Sequence, residues 1–177
     1  MKRTVLVYGL IAGAVLSLML LVTLPFQEAI GFDTGAVIGY TTMVAAFLLI
    51  FFGVKSYRDS VGGGAVSFGR ALLVGVLIAS IASACYVVTW EFIYFKLHPE
   101  FLQKYQDHAI AQARAGGQTE AQIEQMREQM DAFGQMYQNP LFNSAITFIE
   151  PMPVGLVIAL VSAGVLRRRP TALPASA

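Results

Sequence analysis

Apolar residues fall in four long runs separated by short polar stretches. Thr4 to Gln27, Thr34 to Val54 and Ala71 to Trp90 carry no formal charge, and the third stays aromatic to Phe95. Leu141 to Leu166 is as long but contains Glu150. A bilayer-spanning helix needs about 20 mostly apolar residues. One central carboxylate costs roughly 2.5–3.5 kcal/mol on insertion, and each Leu, Ile, Val or Phe returns about 0.3–0.6 kcal/mol. The apolar residues of the fourth run outweigh Glu150, so the pattern predicts four spans. The first run is too long for the apolar segment of a signal peptide, and no small-x-small site follows it, so a retained helix is expected.

Between the third and fourth runs the period changes. Pro99 and Glu100 suit a helix start, and Glu100 with Lys104 forms an i,i+4 pair. Gly116-Gly117 ends that helix, and Thr119 with Gln122 reads as a capping box for a second. This second helix runs to Gln138 and stops at Asn139-Pro140. Its Ile123, Met126, Met130, Phe133 and Tyr137 make a seam for one partner helix. Phe101, Tyr105 and His108 share a face of the first helix. Packing within the chain is favoured for this seam over a dimer contact. The expected fold is therefore all-α: a four-transmembrane-helix bundle with an extracytoplasmic αα-hairpin between helices three and four. Residues 1–95 hold spans one to three, 96–140 the hairpin, 141–169 span four, and 170–177 a disordered cytoplasmic tail.

Charge sets the orientation. Lys2, Arg3, Lys55, Arg58, Arg70, Arg167, Arg168 and Arg169 all fall on one side of the predicted bundle, eight of the 12 Lys and Arg residues. The positive-inside rule puts that side, and both termini, in the cytoplasm. Of these, Lys55, Arg58, Arg70, Arg167, Arg168 and Arg169 are expected to contact anionic headgroups. Composition agrees: 56% of the 177 residues are hydrophobic and 13% charged, where a soluble domain has roughly 25% charge. A basic nucleic-acid binder, a disulfide-stapled secreted domain and a disordered chain are excluded.

Small residues recur at four-residue spacing: Gly9, Gly13 and Ser17; Gly35 and Gly39; Gly75, Ala79 and Ser83; Gly155, Ala159 and Ala163. In lipid such stripes allow close backbone approach, within one bundle or between copies. Polar residues concentrate towards the outer end of each span. Tyr40, Thr41 and Thr42 lie there in span two, Tyr86, Trp90 and Glu91 in span three, and Thr23, Gln27 and Glu28 in span one. Asn143, Thr147 and Glu150 share one face of span four, with Glu150 about 13 Å below its start by helical rise. These positions predict an outward-facing polar pocket with Glu150 at its floor and Glu91 near its rim. An intramembrane carboxyl is a functional site by default, or else a hydrogen-bonded lock between spans two and four. Pro151 and Pro153 predict a kink beside it. The inner half of every span is nearly all apolar, which disfavours a through-pore.

His98 and His108 lack a metal-ligand spacing, and Cys85 sits in an apolar span, so neither metal nor cofactor is implied. Gly62-Gly63-Gly64 leads to Ser67, read as a helix cap and not a phosphate loop. Tyr8-Gly9, Ile38-Gly39-Tyr40-Thr41-Thr42-Met43, Phe52-Gly53-Val54-Lys55-Ser56-Tyr57-Arg58-Asp59, Tyr86-Val87-Val88-Thr89-Trp90-Glu91 and Glu150-Pro151-Met152-Pro153-Val154-Gly155 follow in that order. In combination they resemble a bacterial membrane family known as domain of unknown function 4199, over roughly 4–169. The resemblance implies a small multi-span bacterial membrane protein and supplies no activity. The leading expectation is a non-enzymatic inner-membrane accessory or binding protein. Its partners would be membrane lipids, with a second copy or an envelope protein as the protein partner, and no nucleic acid. The alternative is a small oligomeric transporter or exchanger with Glu150 as a protonatable site. An intramembrane acid–base pair of Glu91 and Glu150 ranks last, because no nucleophile accompanies it.

Overall fold

The computed structural model describes residues 1–168, apart from the side chains of Gln27 and Glu28. The expectations placed on Arg169, on 170–177 and on those two side chains lie outside the described residues. Four helical segments are long and apolar enough to cross a membrane: Lys2–Phe26, Phe32–Ser60, Phe68–Leu97 and Pro140–Leu166. Among the described residues there is no strand; one isolated antiparallel bridge joins Val66 to Arg168.

Helix α1 (Lys2–Thr23) tightens into a 3-10 turn at Leu24–Phe26 and a short α2 (Gln27–Ile30). Gly31 then takes φ 79°, a conformation that costs glycine little, and the chain reverses into α3 (Phe32–Ser60). This helix outruns its predicted apolar end at Val54. Gly53, Val54 and Tyr57 are buried while Lys55, Asp59 and Ser60 are exposed, so one face still packs after the charges begin. Gly63 and Gly64 turn the chain at φ 60° and 88°. Helix α4 (Phe68–Phe92) starts under Ser67, whose hydroxyl accepts a hydrogen bond from the Arg70 amide. It runs into a π-helical turn at Ile93–Leu97 that keeps Ile93 and Tyr94 buried.

Helix α5 (Phe101–Ala115) ends at Gly116-Gly117, and α6 (Glu120–Tyr137) begins with both bonds of the Thr119–Gln122 capping box. The two pack through Ile110, Ala113, Ile123 and Met126. Asn139 caps α7 (Pro140–Ile149), accepting hydrogen bonds from the Leu141 and Phe142 amides. After Glu150-Pro151 the chain continues as α8 (Met152–Leu166).

Helix α4 is central and packs against α1, α3, α7 and α8; α1 and α8 also pack on α3. The small-residue stripes explain how closely. A Cβ added at Gly9 would lie 2.8 Å from the Ile81 Cβ, and one at Gly13 2.6 Å from the Cys85 Cβ. On the other side of α4, a Cβ at Gly75 would meet Ala159 at 2.8 Å, and one at Gly155 would meet Ala79 at 2.8 Å. These stripes are consumed inside the chain, where lipid offers no hydrophobic drive and backbone approach must supply the contact. Gly35 and Gly39 differ. A Cβ at Gly39 would have only the Met19 methyl within reach, at 4.0 Å. Both glycines line a cleft.

The Val66–Arg168 bridge ties the end of α8 to the turn before α4. Lys55, Arg70, Arg167 and Arg168 are exposed, and Arg58 bonds Asp59 at 2.7 Å.

Candidate functional site

The interruption at Glu150-Pro151 opens the bundle at one end. Proline at 151 and 153 withholds two backbone donors, so the fourth span cannot run as one uniform helix. The segment beyond the break, α8, packs on α3 and α4, whereas α7 packs on α4 and α6. The space that α7 leaves beside the first half of α3 is a cleft of about 480 Å³. Its back wall is Tyr86 and Trp90 of α4. Met19, Leu20 and Thr23 come from the end of α1, Leu24 from the 3-10 turn after it, and Phe32, Gly35, Ala36, Gly39, Tyr40 and Met43 from α3. Ile146 and Glu150 form the α7 side.

The helices between spans three and four roof it with Phe101, Leu102, Tyr105, Phe133 and Tyr137. Helix α5 is held over α3 by aromatic contacts: the Phe32 ring lies 5.8 Å from Phe101, 5.6 Å from Tyr105 and 5.2 Å from His108. Gln112 Nε2 donates to Asp33 Oδ2 at 2.7 Å, and His108 Nε2 lies 3.6 Å from the same oxygen. The face of Phe101, Tyr105 and His108 therefore meets α3, while α5 meets α6 through Ile110 and Ala113 at one end and through Leu102 and Gln106, beside Gly134 and Asp131, at the other. The far end of that seam, Phe133 and Tyr137, turns into the cleft. Periodicity marked the residues as apolar-facing but not which neighbour takes them.

Of the expected pocket residues, Glu150, Tyr86, Trp90 and Tyr40 line the cleft. Tyr86 Oη donates to Glu150 Oε2 at 3.4 Å. Glu150 and Tyr40 are exposed to the space between α3 and α7. The other expected pocket residues lie elsewhere. Asn143 and Thr147 are buried in a lattice that fastens α7 to α6. Within it Trp90 Nε1 donates to Tyr137 Oη at 2.9 Å, and that oxygen lies 3.3 Å from Thr147 Oγ1. Thr147 donates to Asn143 Oδ1 at 3.2 Å, and Asn143 Nδ2 to the Tyr137 carbonyl at 3.3 Å. Burial pushes the Tyr137 phenol above its ordinary pKa, so it stays neutral, able to donate and accept. Glu91 accepts from Ser144 at 2.8 Å, outside the cleft lining. Thr41 is exposed and Thr42 half-buried, again outside it. Among the described residues the cleft is amphipathic, with one carboxylate and a few hydroxyls among aromatic and aliphatic walls.

Sequence reasoning missed the structural parts played by Phe32, Tyr137 and Ser144. Phe32 carried a weak signal, an aromatic directly after a turn glycine. Tyr137 was visible as a seam residue but not as the acceptor for Trp90.

Beneath Glu150 the bundle closes on the Gly155–Ala79 and Gly75–Ala159 contacts. Chemically the site can bind, orient and desolvate a small molecule. Among its lining residues are no serine, cysteine, histidine or lysine to act as nucleophile or metal ligand. A family model described as a protein of unknown function, DUF4199, matches residues 7–168. The chain matches no curated protein and no solved structure.

Proposed function

The chain belongs to the DUF4199 family of unknown function, and we propose that it is a non-enzymatic membrane protein whose cleft holds a small amphipathic molecule. The observation that carries this reading is the cleft itself: among the described residues, one carboxylate set among aromatic and aliphatic side chains, in a volume of about 480 Å³. Small-molecule sites typically have 300–1,000 Å³, mostly apolar walls and a few polar groups that fix orientation. The clustering of Lys and Arg supports an orientation with both termini in the cytoplasm and the cleft at the outer end. The same basic cluster suits contact with anionic lipid on the cytoplasmic side. The close helix contacts beneath Glu150 favour a binding role over conduction.

Trp90, the one tryptophan, is a built-in reporter. It is only 9% exposed and lines the cleft, so an apolar chain reaches it by entering there. Amphiphiles brominated along the chain are expected to quench its fluorescence, and Gly39→Leu, which fills the cleft, is expected to relieve most of that quenching. Equal quenching in both proteins would overturn the reading.

A further inference from the structure

We infer that the molecule held by this cleft is a lipophilic organic cation, with its positive centre against the Glu150 carboxylate and its apolar body under α5 and α6. This rests on the binding reading and adds the charge class of the ligand.

Among the described residues Glu150 is the only one lining the cleft with a formal charge, and no lysine, arginine or histidine lines it. Among the described residues its carboxylate receives one hydrogen bond, from Tyr86 at 3.4 Å. That is well beyond the 2.5–3.0 Å of a good O–H···O bond. A carboxylate accepts through two oxygens and about four lone-pair sites, so most of its capacity faces the cleft. Charges at membrane depth persist when another charge or a set of dipoles compensates them. Among the described residues no cation lines the cleft, so Glu150 is compensated either by a proton or by the positive centre of a ligand.

The surrounding groups discriminate in the same direction. Tyr40, Tyr86 and Trp90 line the same cleft, and Tyr86 touches the carboxylate. Ring faces carry negative potential and attract ammonium-type cations, more strongly where water is excluded. An anion would meet Glu150 without a compensating cation. A neutral molecule of the same shape would leave Glu150 to be neutralised by a proton alone. Selectivity should therefore follow charge more than shape.

Tetraphenylphosphonium and tetraphenylborate test this, because they share size and shape and differ in the sign of charge. Each is titrated into the full chain in nanodiscs, with Trp90 emission as the readout. The expected result is saturable phosphonium binding that weakens at least tenfold in Glu150→Gln and several-fold in Tyr40→Leu, with tetraphenylborate at least tenfold weaker than phosphonium in the wild type. Tyr40 is 53% exposed, so its replacement disturbs little packing and keeps the test valid should Glu150→Gln fail to fold. If both ions bind saturably with similar affinity and both responses vanish in Gly39→Leu, the cleft binds ligands but the charge assignment is overturned. If neither ion gives a saturable response, and brominated amphiphiles also fail to reach Trp90, the binding reading falls with it.

Discussion

Glycine has two different uses in this chain, and the difference is measurable. At Gly155 a new Cβ would sit 2.8 Å from the Ala79 Cβ, a rigid neighbour that cannot swing away. At Gly39 the nearest atom is a flexible methionine methyl at 4.0 Å. Overpacking a filled interface costs roughly 1–3 kcal/mol, whereas leucine in an open helical position gains on glycine by about 0.8 kcal/mol in propensity. Gly155→Leu is therefore expected to lower the midpoint of thermal unfolding in detergent, and Gly39→Leu to leave it unchanged or raise it. Both stripes look alike in sequence because spacing reports a face and not its neighbour. Glu150 was legible for a different reason: a lone carboxyl inside an apolar run is costly unless something uses it. Asn143 and Thr147, on the same helical face, gave the same signal and serve another purpose, satisfying each other and Tyr137. Polar residues in lipid must find partners, and one sequence does not say whether those partners are protein or ligand.

The four spans are the most legible elements, since a long apolar run in lipid has few alternatives to a helix that satisfies its own backbone. The caps were equally clear. Ser67, and Thr119 with Gln122, each bring the side-chain oxygen that a helix start requires, and each is found at one; Asn139-Pro140, read as the end of α6, also starts α7. Helix ends that depend on packing were less visible: α3 runs past Lys55 because Tyr57 still faces the core. The role of α5 was hidden for the same reason. Its Phe101–His108 face answers Phe32, a residue remote in sequence at the start of α3, and no local pattern links the two. The prolines announced a break in span four without saying which way each half would lean. That direction, α8 toward α3 and α7 toward α6, is what makes the cleft.

At the scale of the whole molecule the bundle is asymmetric along its length. One end is closed by glycine and alanine contacts and flanked by exposed basic residues; the other opens between α3 and α7 under a roof of two polar-surfaced helices. The asymmetry of Lys and Arg predicts which end faces the cytoplasm. In a Cys85→Ala background, Val61→Cys is expected to react with a membrane-impermeant maleimide only after cells are opened. Gln118→Cys, at the turn between α5 and α6, should react in intact cells. The reverse pattern would invert the topology and place the cleft on the cytoplasmic side.

The central claim is that the cleft beside Glu150 holds a molecule in the native membrane. Native mass spectrometry of the chain released from native-lipid nanodiscs tests it most directly, with Gly39→Leu alongside. The account predicts a defined small-molecule adduct on the wild-type protein that is lost when the cleft is filled. A bare chain in both samples, or the same adducts on both, would contradict it.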